Sequence, residues 1–119
     1  MELKTKIYLL NDDGDKFMGI GVLWLLNEVM KTQSLHKAAK NLDISYTKAF
    51  NMVKHLESAL GKEVLSRKKG GANREGATIT EFGKEFLSLY DEFQKQAKEC
   101  INGPYQNFKE KLSLLMEEN

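Results

Sequence analysis

Residues 35–56, LHKAAKNLDISYTKAFNMVKHL, place two helix-length patterns in succession with almost nothing between them. In the first, Leu35, Ala38, Ala39 and Leu42 recur at helical spacing and form one apolar face with alanines at its centre. Helices joined by a turn of about three to four residues cross steeply, and such a crossing admits only small side chains. Ser34 stands where an N-cap belongs, and Ser45 takes the same place before the second pattern. LDIS makes the turn, with Ile44 available to plug the corner. The second helix runs to about Leu60, and Gly61 ends it as a C-cap. Ala49, Val53, Leu56 and Leu60, with Met52 beside them, mark its core face. Thr47, Lys48, Asn51, Lys54, His55 and Ser58 fall on the opposite face. The pattern is a helix-turn-helix that projects its second helix with a hydrogen-bonding face outward.

The flanks extend this reading. LKTKIYLL, residues 3–10, reads as a strand, NDDGD as a turn, and KFMGIG as a returning strand. NDDGD lacks the ligand spacing and closing Glu of a calcium-binding EF-hand. Val22, Leu25, Leu26, Val29 and Met30 mark a helix to about Thr32, and Leu23 and Trp24 widen its stripe into a largely buried helix. After Gly61, EVLSRKK (63–69) and ATIT (77–80) read as strands around a glycine-rich tip, GGANREG (70–76). A hairpin directly after the second helix of such a pair is a wing, here carrying Arg67, Lys68, Lys69 and Arg74. Thr80 caps a helix over 81–101 with Phe82, Phe86, Leu89, Tyr90, Phe93 and Ala97 along one side. Part of that stripe packs on the body and part is left for a second copy. NGP (102–104) breaks the helix, and a last amphipathic segment carries Tyr105, Phe108, Leu112, Leu115 and Met116. The expected fold is mainly α with a small β wing, a winged helix-turn-helix with an added long C-terminal dimerisation helix. Residues 1–101 would form the working domain and 102–119 a helical tail.

The overall charge of +1 hides an asymmetry. Residues 31–80 hold ten Lys/Arg against four Asp/Glu, a net +6, while the rest of the chain carries −5. One face should therefore attract polyanions. No chemistry competes with that reading. His36 and His55 lie nineteen positions apart without a Cys or carboxylate at metal-ligand spacing. CxxC, HExxH, P-loop and strand-GxGxxG patterns are missing, so neither an enzyme nor a cofactor is expected. Both histidines read as surface or DNA-facing residues. The one cysteine, Cys100, cannot form an internal disulfide; it reads as a packed or partly buried helix position in a reducing cytoplasm. No apolar run approaches the roughly 18 residues of a membrane span, and MELKTKIYLLNDDGDK is neither signal peptide nor anchor.

QSLHKAAKNLDISYTKAFNMVKHLESALGKEVLSRKKGG followed by ATITEFGKEFLSLY resembles the N-terminal winged-helix domain of ModE-type molybdate-responsive regulators. More distantly it is similar to the LysR-type winged helix, whose AA…LE…G spacing it shares. The resemblance covers about residues 3–95. It implies a homodimeric DNA-binding regulator whose helix after the wing helps form the dimer, with Phe86, Leu89, Tyr90, Phe93 and Ala97 at that interface. Carried over by position, Ser45, Tyr46, Thr47 and Lys48 begin the recognition helix, and Asn51 and Lys54 continue its exposed face. Arg67, Lys68, Lys69 and Arg74 occupy the wing, and Ser34, His36 and Lys37 at the start of the preceding helix complete the DNA-facing set. Three departures stand out. The 119 residues leave no room for the oxyanion-binding domains of full-length members, so molybdate sensing is not carried over. ANREG interrupts a wing that is usually richer in glycine. Phe50 stands where a Trp is common, a conservative change in the core.

Two functions fit. The first is a sequence-specific transcriptional regulator binding double-stranded DNA as a homodimer through the major groove, its small-molecule effector unidentified. The second is a winged helix used for protein interaction, or a single-domain subunit whose sensor is a separate chain. There the Phe86/Tyr90/Phe93 stripe or the 105–116 helix would be the working surface. Clustered lysines argue against the second, since they are depleted in protein interfaces.

Overall fold

The computed structural model describes residues 1–67 and 76–117. Its helix-turn-helix lies within a compact unit of residues 6–87. Helix α1 (Ile20–Thr32) precedes α2 (Leu35–Asn41) and α3 (Tyr46–Leu60). Ser34 Oγ accepts from the Lys37 amide at 3.1 Å and Ser45 Oγ from the Lys48 amide at 3.0 Å, so each serine satisfies a donor that its helix leaves free. The corner between α2 and α3 is a Schellman turn. Asp43 takes the left-handed conformation at φ 58°, its amide donating to the Lys40 carbonyl, while the Ile44 amide reaches the Ala39 carbonyl at 3.0 Å. Gly61 closes α3 in the same conformation, at φ 68°.

Ala38 and Ala39 are buried on α2, as the spacing predicts, and Leu25, Leu26, Val29, Ala49, Val53 and Leu56 join them in the core. Each fully buried Leu or Val is worth about 1.5–3 kcal/mol relative to exposure. The α1 stripe is narrower than expected. Trp24 is 55 % exposed and Met30 40 % exposed, because Leu25, Leu26, Val22 and Val29 already fill the inward face and leave these two on its outer side.

Strands β1 (Leu9–Leu10) and β2 (Lys16–Met18) pair antiparallel, Leu9 opposite Met18 and Leu10 opposite Lys16. Asn11 Oδ1 accepts from the Asp13 and Asp15 amides, the hydrogen bonds of an Asx turn. The first strand is much shorter than residues 3–10. Leu3 and Tyr8 are exposed, so the early alternation has no core face to bury. The wing strands β3 (Leu65–Arg67) and β4 (Ala77–Ile79) pair Leu65 with Ile79, Ser66 with Thr78 and Arg67 with Ala77. An antiparallel bridge joins Ser34 to Gly76, and the Ala77 amide donates to the Gln33 carbonyl at 2.9 Å. The wing is thereby sewn to the entrance of the helix-turn-helix. Its tip, with Lys68, Lys69 and Arg74, lies outside the described residues.

Helix α4 spans Glu81–Glu117. Thr80 starts it, accepting from the Gly83 amide at 3.0 Å and donating to the Glu63 carbonyl at 2.8 Å. The expected break at 102–104 is absent: the helix runs through Pro104. Proline deprives the carbonyl four residues earlier of its partner, but Cys100 is exposed there, so water can serve that oxygen. Gly103, lacking a Cβ, removes much of the clash that proline imposes on the residue before it. Cys100 is thus a surface position, not a packed one. Residues 1–5 and 88–119 form a second unit, within which Tyr105 Oη donates to the Met1 carbonyl at 3.2 Å.

Candidate nucleic-acid interface

Helix α3 divides cleanly. Ala49, Val53 and Leu56 are buried, while Thr47, Lys48, Asn51, Lys54, His55 and Ser58 are exposed. This is the face expected from the sequence. Asn51 offers two donors and an acceptor, Thr47 a hydroxyl, and Lys48 and Lys54 point charges. Such groups can bond base edges and phosphates in a groove wide enough for a helix.

The helix start is framed by rings. Tyr46, its first residue, stacks on His36 of α2 with centroids 3.8 Å apart and planes 6° from parallel. Phe50 follows one turn later, 6.2 Å from Tyr46 and tilted by 48°. Phe50 is not a core residue: it is half-buried at the surface, because Ala49 and Val53 take the inward positions beside it. Its ring carries Arg67 at 4.8 Å and Lys54 at 5.5 Å from the centroid. Arg67 comes from β3 and Lys54 from α3, so one ring gathers cations from wing and helix.

Glu57 fixes the angle between those elements. Its Oε2 accepts from the Val64 amide at 2.9 Å and the Leu65 amide at 3.2 Å, and its Oε1 lies 3.9 Å from Lys54 Nζ. A groove of about 430 Å³ between α3 and β3 is lined by Phe50, Val53, Lys54, Glu57, Leu65 and Arg67 among others. Sequence reasoning missed Phe50 and Glu57 as site residues. The signals were there as i, i+4 spacing from Tyr46 to Phe50 to Lys54 and i, i+3 spacing from Lys54 to Glu57.

The remaining expected residues divide. His36 and Lys37 are exposed at the start of α2, whereas Ser34 is buried and its hydroxyl is engaged as a cap. Along α4, Leu89 and Phe93 are exposed, Phe86 and Ala97 half-buried, and Tyr90 buried, with its phenol raised above the usual 10.0 by that burial. Among the described residues, no group of His, Cys, Asp and Glu could hold a metal ion, and no helix is long and apolar enough to cross a membrane.

Comparison with known proteins gives the family of the helix-turn-helix and wing. The model of the bacterial regulatory helix-turn-helix proteins of the lysR family matches residues 21–84, more than half of the chain and the span from α1 into α4. The chain belongs to that family. Among curated relatives, it is similar to the transcriptional regulator ModE of Haemophilus influenzae, 31 % identical over 78 residues. The match takes in 66 % of this chain and 31 % of the relative, so the chain spans about a third of that protein's length. Among solved structures, the CbnR_DBD–DNA complex aligns with a TM-score of 0.55 at 24 % identity, over 70 % of this chain and 90 % of that one. The BenM_DBD/benA site 1 DNA complex aligns with a TM-score of 0.54 at 21 % identity, over 75 % and 98 %. The lysR-family fold accounts for the order seen here, with α2 and α3 forming the helix pair and β3 and β4 the wing.

Proposed function

We propose that this lysR-family chain is a sequence-specific, DNA-binding transcriptional regulator that works in the cytoplasm as a homodimer and acts by binding rather than by catalysis. The observation that carries the reading is the exposed face of α3. Its buried face holds the core while Thr47, Lys48, Asn51 and Lys54 stand free of it. In the major groove, Lys48 and Asn51 would read base edges, with Ser45, Tyr46 and Thr47 at the entering end. Lys37, His36, Lys54 and Arg67 would hold the backbone, joined by the wing-tip cations Lys68, Lys69 and Arg74. Ser34 would contribute by holding the start of α2. The aligned CbnR and BenM structures are complexes with DNA, which supports the same assignment here.

Residues 1–101 would carry recognition and pairing, with 102–119 continuing α4 as a tail. The dimer would form through α4, where Leu89 at 67 % and Phe93 at 47 % exposure offer apolar surface beside Phe86, Tyr90 and Ala97. A two-fold dimer would read half-sites about one helical turn, or a multiple of it, apart.

Selection of duplexes from a randomised pool, repeated with variants, tests the assignment. Asn51→Ala should relax preference at one position of each half-site. Arg67→Ala should weaken binding to all sequences alike and lower the salt slope by about one. A uniform loss for Asn51→Ala with the sequence ranking unchanged would remove it from base reading.

A further inference from the structure

The geometry points to Phe50 as a positioning residue that couples recognition helix and wing, holding Lys54 and Arg67 on one ring so that the two bind a DNA backbone as a unit. This rests on DNA being the ligand of the face described above. Phe50 is not required for the core, which Ala49, Val53 and Leu56 already supply from the same helix. Its ring instead lies beneath two cations from different elements, both within the roughly 6 Å at which a ring quadrupole attracts a charge.

Two like charges on one ring repel each other. Their distances to the shared centroid, 4.8 and 5.5 Å, keep them within about 10 Å, comparable to the ~8 Å Debye length at physiological salt. Glu57 offsets part of that repulsion from 3.9 Å, but its second oxygen is committed to the Val64 and Leu65 amides. A phosphate strand relieves the rest. A guanidinium lying against a ring also loses little entropy on binding and keeps planar donors for a phosphate. Because Arg67 ends β3 and Lys54 lies within α3, the ring ties the wing's phosphate contact to the register of the reading helix.

The test uses the full chain and a duplex it selects, with affinity measured across a salt series for Phe50→Leu, Phe50→Tyr, Arg67→Ala and the Phe50→Leu/Arg67→Ala double variant. Thermal unfolding checks that each variant is folded. Phe50→Leu should weaken binding about 5- to 20-fold and lower the salt slope by about one to two, as one or both displaced cations stop contacting phosphate. Phe50→Tyr, which keeps a ring face, should restore both. On the Arg67→Ala background, Phe50→Leu should cost much less than it does alone, a coupling that a purely structural role would not give. Losses that multiply, an unchanged slope in Phe50→Leu, or a Phe50→Tyr variant as weak as Phe50→Leu would overturn the coupling while leaving DNA binding in place. If the folded wild-type chain selected no duplex, the DNA reading itself would fall and the coupling with it.

Discussion

Asp43 sets the corner on which the site depends. It alone turns the chain left-handed between α2 and α3, at φ 58°, a conformation in which Asp and Asn are tolerated but β-branched residues are not. Asp43→Gly should therefore leave stability unchanged or raise it slightly. Asp43→Val should lower it by about 1–2 kcal/mol, read as a shift in the denaturant midpoint. At this scale the sequence was legible where a residue has one dominant local role. Ser34 and Ser45 cap because their hydroxyls face free amides, and Gly61 closes α3 because it bears no Cβ. It was illegible where the partner is distant in sequence. Phe50 reads as core from its chemistry, and only the return of β3 puts Arg67 over its ring. Trp24 misleads in the same way: a large apolar side chain need not be inside, and this one is not.

At the scale of elements, the entry of α4 and its passage through Pro104 are the two informative places. Gly83 lies where a Cβ would come within 2.8 Å of Ile79 Cγ2 and 2.9 Å of the Val64 carbonyl oxygen, the second being backbone that cannot swing aside. Gly83→Ala should therefore destabilise the chain by about 1–3 kcal/mol in chemical unfolding, despite alanine's better helix propensity. The TITEFG sequence announced a helix start here, with Thr80 as cap, but not that its glycine is demanded by contact with the wing strand. Downstream, the rule that proline ends helices failed because the carbonyl left without a partner sits at the surface. Removing the proline should then strengthen a helix that already exists. Pro104→Ala is expected to raise stability of the 88–117 region and deepen the 222 nm circular-dichroism signal; a loss of helical signal would contradict the continuous α4.

Across the whole molecule, charge and exposed apolar surface divide the labour. By sequence, residues 31–80 carry +6, which favours a polyanion at the helix-turn-helix, while Asp12, Asp13 and Asp15 line one groove with His55 and Ser58 towards the end of α3. Leu89 and Phe93 stand exposed on α4, where a second copy would cover them. Leu89→Glu with Phe93→Glu should convert the proposed dimer to monomer in sedimentation velocity, and weaken DNA binding through loss of the paired half-site. An unchanged dimer would move the interface away from this stripe.

In the proposed function, the outward face of α3 reads DNA sequence. The most direct measurement is an anisotropy titration of a pool-selected duplex and a scrambled duplex of the same composition, each at 50 and 200 mM salt. The account predicts tighter binding of the selected duplex at both concentrations, with overall affinity falling steeply with salt as released counterions require. Equal affinity for both duplexes, or no binding to either by a chain shown to be folded, would contradict it.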